Sequence, residues 1–99
     1  MQLTDRQKRY LAGRAHPLKP VVQIGSAGLT ESVARETERA LGDHELIKVR
    51  MRAADRAARN AALAELAART GSALVSRIGH VAVLYRPNPT AAKIVIPDD

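Results

Sequence analysis

A mixed α/β domain, with the order α-β-α-β-α-β-β and a four-stranded sheet packed with helices, is the fold class this sequence predicts. Three observations carry it. Three stretches begin with a capping residue and continue as an apolar stripe at helical spacing. From Leu46 the apolar period drops to two, as a half-buried strand requires. Near the end, two apolar runs meet at Gly79-His80, a hairpin signal of the Gly-X kind. Strands separated by helices favour parallel neighbours, and the hairpin adds an antiparallel pair, so the sheet is mixed.

The elements follow in order. Thr4-Asp5-Arg6-Gln7 is a capping box that opens a helix to about Ala15, and His16-Pro17 ends it. Leu18-Lys19-Pro20 leads into a short strand, Val21–Ile24, and Gly25-Ser26-Ala27-Gly28 is a turn. Thr30 caps a second helix with Val33, Thr37, Ala40 and Leu41 inward, and Gly42 is its expected stop. In the next strand Ile47, Val49 and Met51 face one way while Lys48, Arg50 and Arg52 face the other. Asp55 caps a third helix to about Thr70, buried through Ala62, Leu63, Leu66 and Ala67 and stopped by Gly71. Strands near Ala73–Ile78 and Val81–Arg86 complete the order. Residues 88–99 are expected to form a tail or a short edge strand around Lys93–Ile96.

With 99 residues the chain makes one domain, 1–99, whose core is aliphatic: 10 Leu, 8 Val and 5 Ile against no Phe, no Trp and two Tyr. Zero cysteines exclude disulfides, thiol catalysis and thiolate zinc. No apolar run is long enough for a bilayer, and the charged opening MQLTDRQKRY lacks a secretory h-region, which predicts a cytoplasmic protein with no membrane partner.

The net charge of +6 is patched rather than spread. Residues 1–20 carry +4, 21–47 carry −3, 48–59 carry +4 and 60–93 carry +3. Basic patches point to an anionic partner, although a GC-rich coding bias toward Arg and Ala fits the total as well. The shortage of aromatics excludes readers that depend on several stacking platforms, and leaves recognition through phosphates, 2′-hydroxyls and shape.

Gly25-Ser26-Ala27-Gly28 before Thr30 lets a backbone approach a helix N-terminus, where amides and a partial positive charge favour phosphate. The same pattern fits a tight turn needing positive φ. It is neither a P-loop nor a dinucleotide fingerprint, because Gly-Lys-Ser/Thr and G-x-G are missing. Lys48, Arg50 and Arg52 form a line of cations at roughly 7 Å intervals, comparable to phosphate spacing, or else an ordinary solvated strand face. Arg6 and Arg9 share one face of the first helix, and Lys19 sits just before the glycine turn, though each alone reads more simply as a solubilising charge. His16, His44 and His80 are scattered, and His44-Glu45 fails as H-E-x-x-H because position 48 is Lys48. Tyr10 and Tyr85 read as core or rim residues, with Tyr85 beside Arg86 a weak candidate to stack one base.

Four blocks together resemble the YhbY family, single-domain bacterial members of the CRM (chloroplast RNA splicing and ribosome maturation) domains. They are Ala15-His16-Pro17-Leu18-Lys19-Pro20-Val21-Val22, Ile24-Gly25-Ser26-Ala27-Gly28-Leu29-Thr30, His44-Glu45-Leu46-Ile47-Lys48-Val49 and Leu84-Tyr85-Arg86-Pro87. Their order and spacing match the family across nearly the whole chain. The resemblance implies a fold similar to the C-terminal domain of translation initiation factor three, a GxxG loop formed by Gly25, Ser26, Ala27 and Gly28, and association with precursor large ribosomal subunits. Many members carry a basic residue inside the loop. Ser26 and Ala27 stand there instead, which shifts charge neutralisation onto neighbours such as Lys19 and Lys48.

The expected function is therefore that of a non-enzymatic, monomeric protein that binds structured ribosomal RNA and assists large-subunit assembly. Gly25–Gly28 would meet the phosphates, Lys19, Lys48, Arg50, Arg52 and Arg86 would flank them, and Arg6 and Arg9 would extend the surface. No metal, cofactor or small-molecule substrate is required. Two rivals are a protein-interaction adaptor using the acidic second helix and a small hydrolase built on His44 with Glu45 or Asp43.

Overall fold

The structure, a computed structural model, describes residues 2–52, 55–90 and 92–98. Its elements are α1 (Asp5–Ala15), β1 (Pro20–Ile24), α2 (Glu31–His44), β2 (Leu46–Met51), α3 (Arg56–Thr70), β3 (Ala73–Ile78) and β4 (Val81–Tyr85). The expected α-β-α-β-α-β-β order and mixed four-stranded sheet are both present.

Local chemistry accounts for the helix ends. The Thr4 hydroxyl accepts from the Gln7 amide while the Gln7 side chain accepts from the Thr4 amide, a complete capping box. Thr30 accepts from Val33, and Asp55 accepts from Ala58 at 2.7 Å. Gly71 ends α3 at φ +63°, a left-handed cap that favours glycine. The expected stop at Gly42 is overturned: α2 runs on to His44, and Glu45 makes the cap at φ 65°, ψ −44°. A glycine within a helix costs only about 1 kcal/mol, and here Arg86 lies against the position.

The strand order is β1-β2-β4-β3, with β1 parallel to β2 and the other pairs antiparallel. Consequently β4 lies between the two strands that α3 connects. Alternation gives the sheet two apolar faces. On one, Val22, Ile24, Ile47, Val49, Met51 and Leu84 pack with Leu41, Leu63 and Leu66 of α2 and α3. On the other, Leu46, Val75, Val83 and Tyr85 pack with Leu11 and Ala15 of α1. The third helix thus covers the Ile47 face, which leaves Lys48 and Arg50 on the α1 side.

Residues 92–98 form no strand; they pack as a tail, with Ile94 and Ile96 against the α1-side core. The buried Glu45 carboxylate holds that tail, accepting from the amides of Asn88 (2.7 Å), Lys93 (2.9 Å) and Ile94 (2.9 Å). Among the described residues no helix is long and apolar enough to cross a membrane.

Candidate nucleic-acid interface

At the C-terminal ends of the parallel strands, the chain leaves β1 through Gly25–Gly28. The Gly28 amide donates to the Gly25 carbonyl at 3.0 Å, closing a four-residue turn, and Gly28 takes φ +75°. One of the four amides is therefore engaged internally. Among the described residues, the Ser26 and Ala27 amides make no hydrogen bond, and both residues are exposed. The sign of φ changes between Ala27 and Gly28, and successive amides in such turns form concavities that favour anions. Two residues later Thr30 opens α2. Glu31 in its first turn, a charge unfavourable to phosphate, is ion-paired with Arg69 of α3.

The sheet brings Arg50 and Arg52 to this loop. Arg50 is in register with Gln23, Met51 with Ile24, and the Arg52 amide donates to the Ile24 carbonyl at 3.0 Å. Both arginine side chains are exposed. The β3–β4 hairpin reaches the same end, where the Met51 amide donates to the His80 carbonyl (2.8 Å) and His80 Nδ1 lies 3.2 Å from the Met51 carbonyl. Gly79 has φ +59° and His80 does not have a positive φ, the pattern of a Gly-first loop. Arg77, whose guanidinium donates to the Gly79 carbonyl at 3.1 Å, is a further cation there. Sequence reasoning passed over Arg77 and the placement of His80. The hairpin signal put both at a tip, but nothing in the sequence placed β4 beside β2.

Other expected site residues lie elsewhere. Lys19 precedes β1 while the loop follows it, so a strand of about 17 Å separates them. It borders a cleft of about 400 Å³ with Arg14, Leu18, Val21, His44 and Ile94, remote from the loop. Lys48 is half-buried and donates to the His16 carbonyl at 3.0 Å, where its charge completes the end of α1. Arg86 follows the far end of β4 and pairs with Glu38, also donating to the Thr70 carbonyl at 2.9 Å. Of the cations expected to flank the loop, the structure thus sets Lys19 and Arg86 at the other end of the sheet, and ties Lys48 to the end of α1 and Arg86 to Glu38 and Thr70. Arg6 and Arg9 are exposed on the first turns of α1, whose N-terminal end packs near Ser72–Leu74 at the start of β3, opposite the loop.

The rival readings also meet the geometry. Glu45 is buried and bonded to the tail, and these three amides, with Lys93, hold its carboxyl below the ordinary value although burial acts in the other direction. That leaves it no free oxygen to serve His44. Tyr85 is buried, which raises its phenol with help from the Glu45 charge, and removes it from any stacking role. Of the acidic residues on α2, Glu31 and Glu38 are already ion-paired.

Comparison with known proteins gives a consistent picture. The family model described as the CRS1 / YhbY (CRM) domain matches residues 3–86. An "RNA-binding protein" of Haemophilus influenzae is 47% identical over 95 residues, covering 96% of this chain and 95% of its own. The "Probable RNA-binding protein PA4753" of Pseudomonas aeruginosa is 50% identical over 93 residues, covering 94% and 89%. Among solved structures, protein SAV1595 of Staphylococcus aureus superposes with a TM-score of 0.85 at 34% identity, over 97% of this chain and 100% of that one.

Proposed function

The chain belongs to the CRS1 / YhbY (CRM) domain family, and from that premise we propose that it binds RNA through the Gly25–Gly28 loop and the cations gathered at that end of the sheet. The observation that carries the reading is that Ser26 and Ala27 are exposed residues whose amides have no internal partner among the described residues, at the end of the sheet that carries Arg50 and Arg52. Phosphate oxygens accept from such amides, and arginine supplies the charge that the loop itself lacks. Arg77 and His80 widen the same end. Relatives named for RNA binding support the choice of polyanion.

The RNA is structured ribosomal RNA, met on precursors of the large subunit in the cytoplasm; the support for this finer step is the resemblance of the sequence blocks to the YhbY family. Binding by one monomer, without metal, cofactor or catalysis, is sufficient for such an assembly role.

Gly25→Val is the sharpest test. A Cβ at Gly25 meets nothing within 4 Å, and the residue lies outside the positive-φ region, so the fold does not require glycine there. RNA does, if its backbone approaches this turn. We expect the variant to melt within a few degrees of the parent, at roughly unchanged stability, while losing tenfold or more in affinity for ribosomal RNA by fluorescence anisotropy. Undiminished binding would exclude the loop. In-cell crosslinking followed by sequencing of the attached RNA tests the ribosomal assignment, and recovery of mainly messenger RNA would overturn it.

A further inference from the structure

One row of the sheet beside the loop is left uncovered. Register aligns Gln23, Arg50, Val81 and Ile78 across all four strands, a row roughly 14 Å wide at ordinary strand spacing. Paired residues share a face, and this face is the one α1 covers lower down. There the end of α1 meets the next row, where Lys48 donates to the His16 carbonyl and Val83 is buried. Gln23 and Arg50 are exposed, Val81 is half-buried, and Ile78 is 82% exposed.

The exposure of Ile78 has a structural cause. Leu74 pairs with Leu84 and Ser76 with Val83, so β3 holds one residue more than β4 between those pairs. Such a bulge reverses which side chains face which side. Without it, Arg77 would face α1 and Ile78 the opposite core. With it, Ser76 and Ile78 both turn toward α1, and an aliphatic side chain is presented to solvent beside Val81, in the same row as Arg50 two strands away. Between α1 and the row lies a cleft of about 280 Å³, bounded by His16, Lys48, Ser76, Ile78, Val81 and Val83.

We infer that this cleft receives one unpaired base of the bound RNA, with Arg50 on that nucleotide's phosphate. The inference rests on the RNA-binding reading above and adds what the loop alone does not provide, a means of preferring single-stranded nucleotides. The volume lies just below the usual range for small-ligand sites, a size that suits one base rather than a larger ligand. Its walls are aliphatic, and the Ser76 hydroxyl and His16 imidazole supply polar groups for a base edge. Recognition of unpaired RNA bases usually relies on aromatic faces. Aliphatic walls serve here because the described sheet face carries no exposed aromatic ring. Charge complementarity comes from Arg50 in the same row, and continuity from Gln23, which directly precedes Ile24 and the loop.

The test uses two RNA probes: a stem-loop with 2-aminopurine in its unpaired loop, and a continuous duplex of the same stem. Ile78→Ser is suited to it because the side chain lies outside the core. The expected result is about a tenfold loss of affinity for the stem-loop and loss of the 2-aminopurine signal, with duplex affinity and salt dependence unchanged. Wild-type stem-loop binding by Ile78→Ser, alongside abolished binding by Gly25→Val, would leave the loop reading standing and overturn the cleft. Equal losses on both probes would overturn it too, since a base site must discriminate them. If Ile78→Ser instead converts a dimer to a monomer in sedimentation with RNA affinity intact, the row is a contact between copies and the inference fails. Full binding of both probes by Gly25→Val would remove the premise itself.

Discussion

Gly28 holds φ +75°, where a Cβ costs roughly 1–2 kcal/mol, whereas Gly25 lies outside that region with open space around it. Both glycines were legible as a turn, but only the backbone separates the one whose conformation requires glycine from the one the fold leaves open to a side chain. Glu45 shows the reverse case. Nothing in His44-Glu45-Leu46 announces a buried carboxylate, because its amide partners stand 43, 48 and 49 residues away. Its φ of 65° and ψ of −44° are strained for a non-glycine residue, of order 1–3 kcal/mol, and three amide hydrogen bonds hold it there. Because the folded carboxyl titrates below the ordinary value of 4.5, its stabilisation is complete above that value. It is lost as pH falls from there through the folded value. Glu45→Gln should lower stability by about 2 kcal/mol at neutral pH, a fall of order 10 °C in melting temperature, since an amide group offers one acceptor in place of two. Acid titrations followed by circular dichroism should show stability declining below pH 4.5 in the parent and a flatter decline in the variant. A parallel decline in both proteins would remove Glu45 from that role.

Among the elements, the three helix starts and the alternation of β2 were readable because capping and period are local properties. What was not readable required knowing neighbours. The insertion of β4 between β2 and β3 decides that Arg77 and His80 join the loop end while Arg86 departs from it. Gly42 did not stop α2, since the capping geometry falls to Glu45 and its tail contacts. Arg86 acts as a strut between elements: it spans from β4 to Glu38 on α2 and to the final carbonyl of α3 at Thr70. Arg86→Ala should therefore cost about 1–2 kcal/mol in urea unfolding, the lower part of the range for a charged hydrogen bond because Glu38 is half-exposed. RNA affinity of the folded variant should change less than twofold. A loss matching that of an arginine at the loop would return Arg86 to the interface.

For the molecule as a whole, segment sums revealed that charge is patched but not where the patches meet. The basic residues of the first twenty lie largely away from the loop, with Arg6 and Arg9 at the opposite end of the sheet. Arg50 and Arg52 stand beside it. This separation turns location into a measurable quantity. Arg50→Glu and Arg9→Glu each lower the net charge of +6 by the same two charges. If total charge governed binding, their effects would be equal. At physiological ionic strength, however, the screening length is about 8 Å, and a strand's length of about 17–20 Å lies well beyond it. Arg50→Glu should then weaken binding to structured RNAs of different sequence roughly alike, by tenfold or more, and reduce the slope of log affinity against log salt by about one. Arg9→Glu should do neither. Near 10 mM salt the screening length grows to about 30 Å, longer than the separation of the two ends, and the difference between the variants should narrow. Equal weakening at both salt concentrations would mean that RNA senses only the overall charge and that the loop end has no special part in binding.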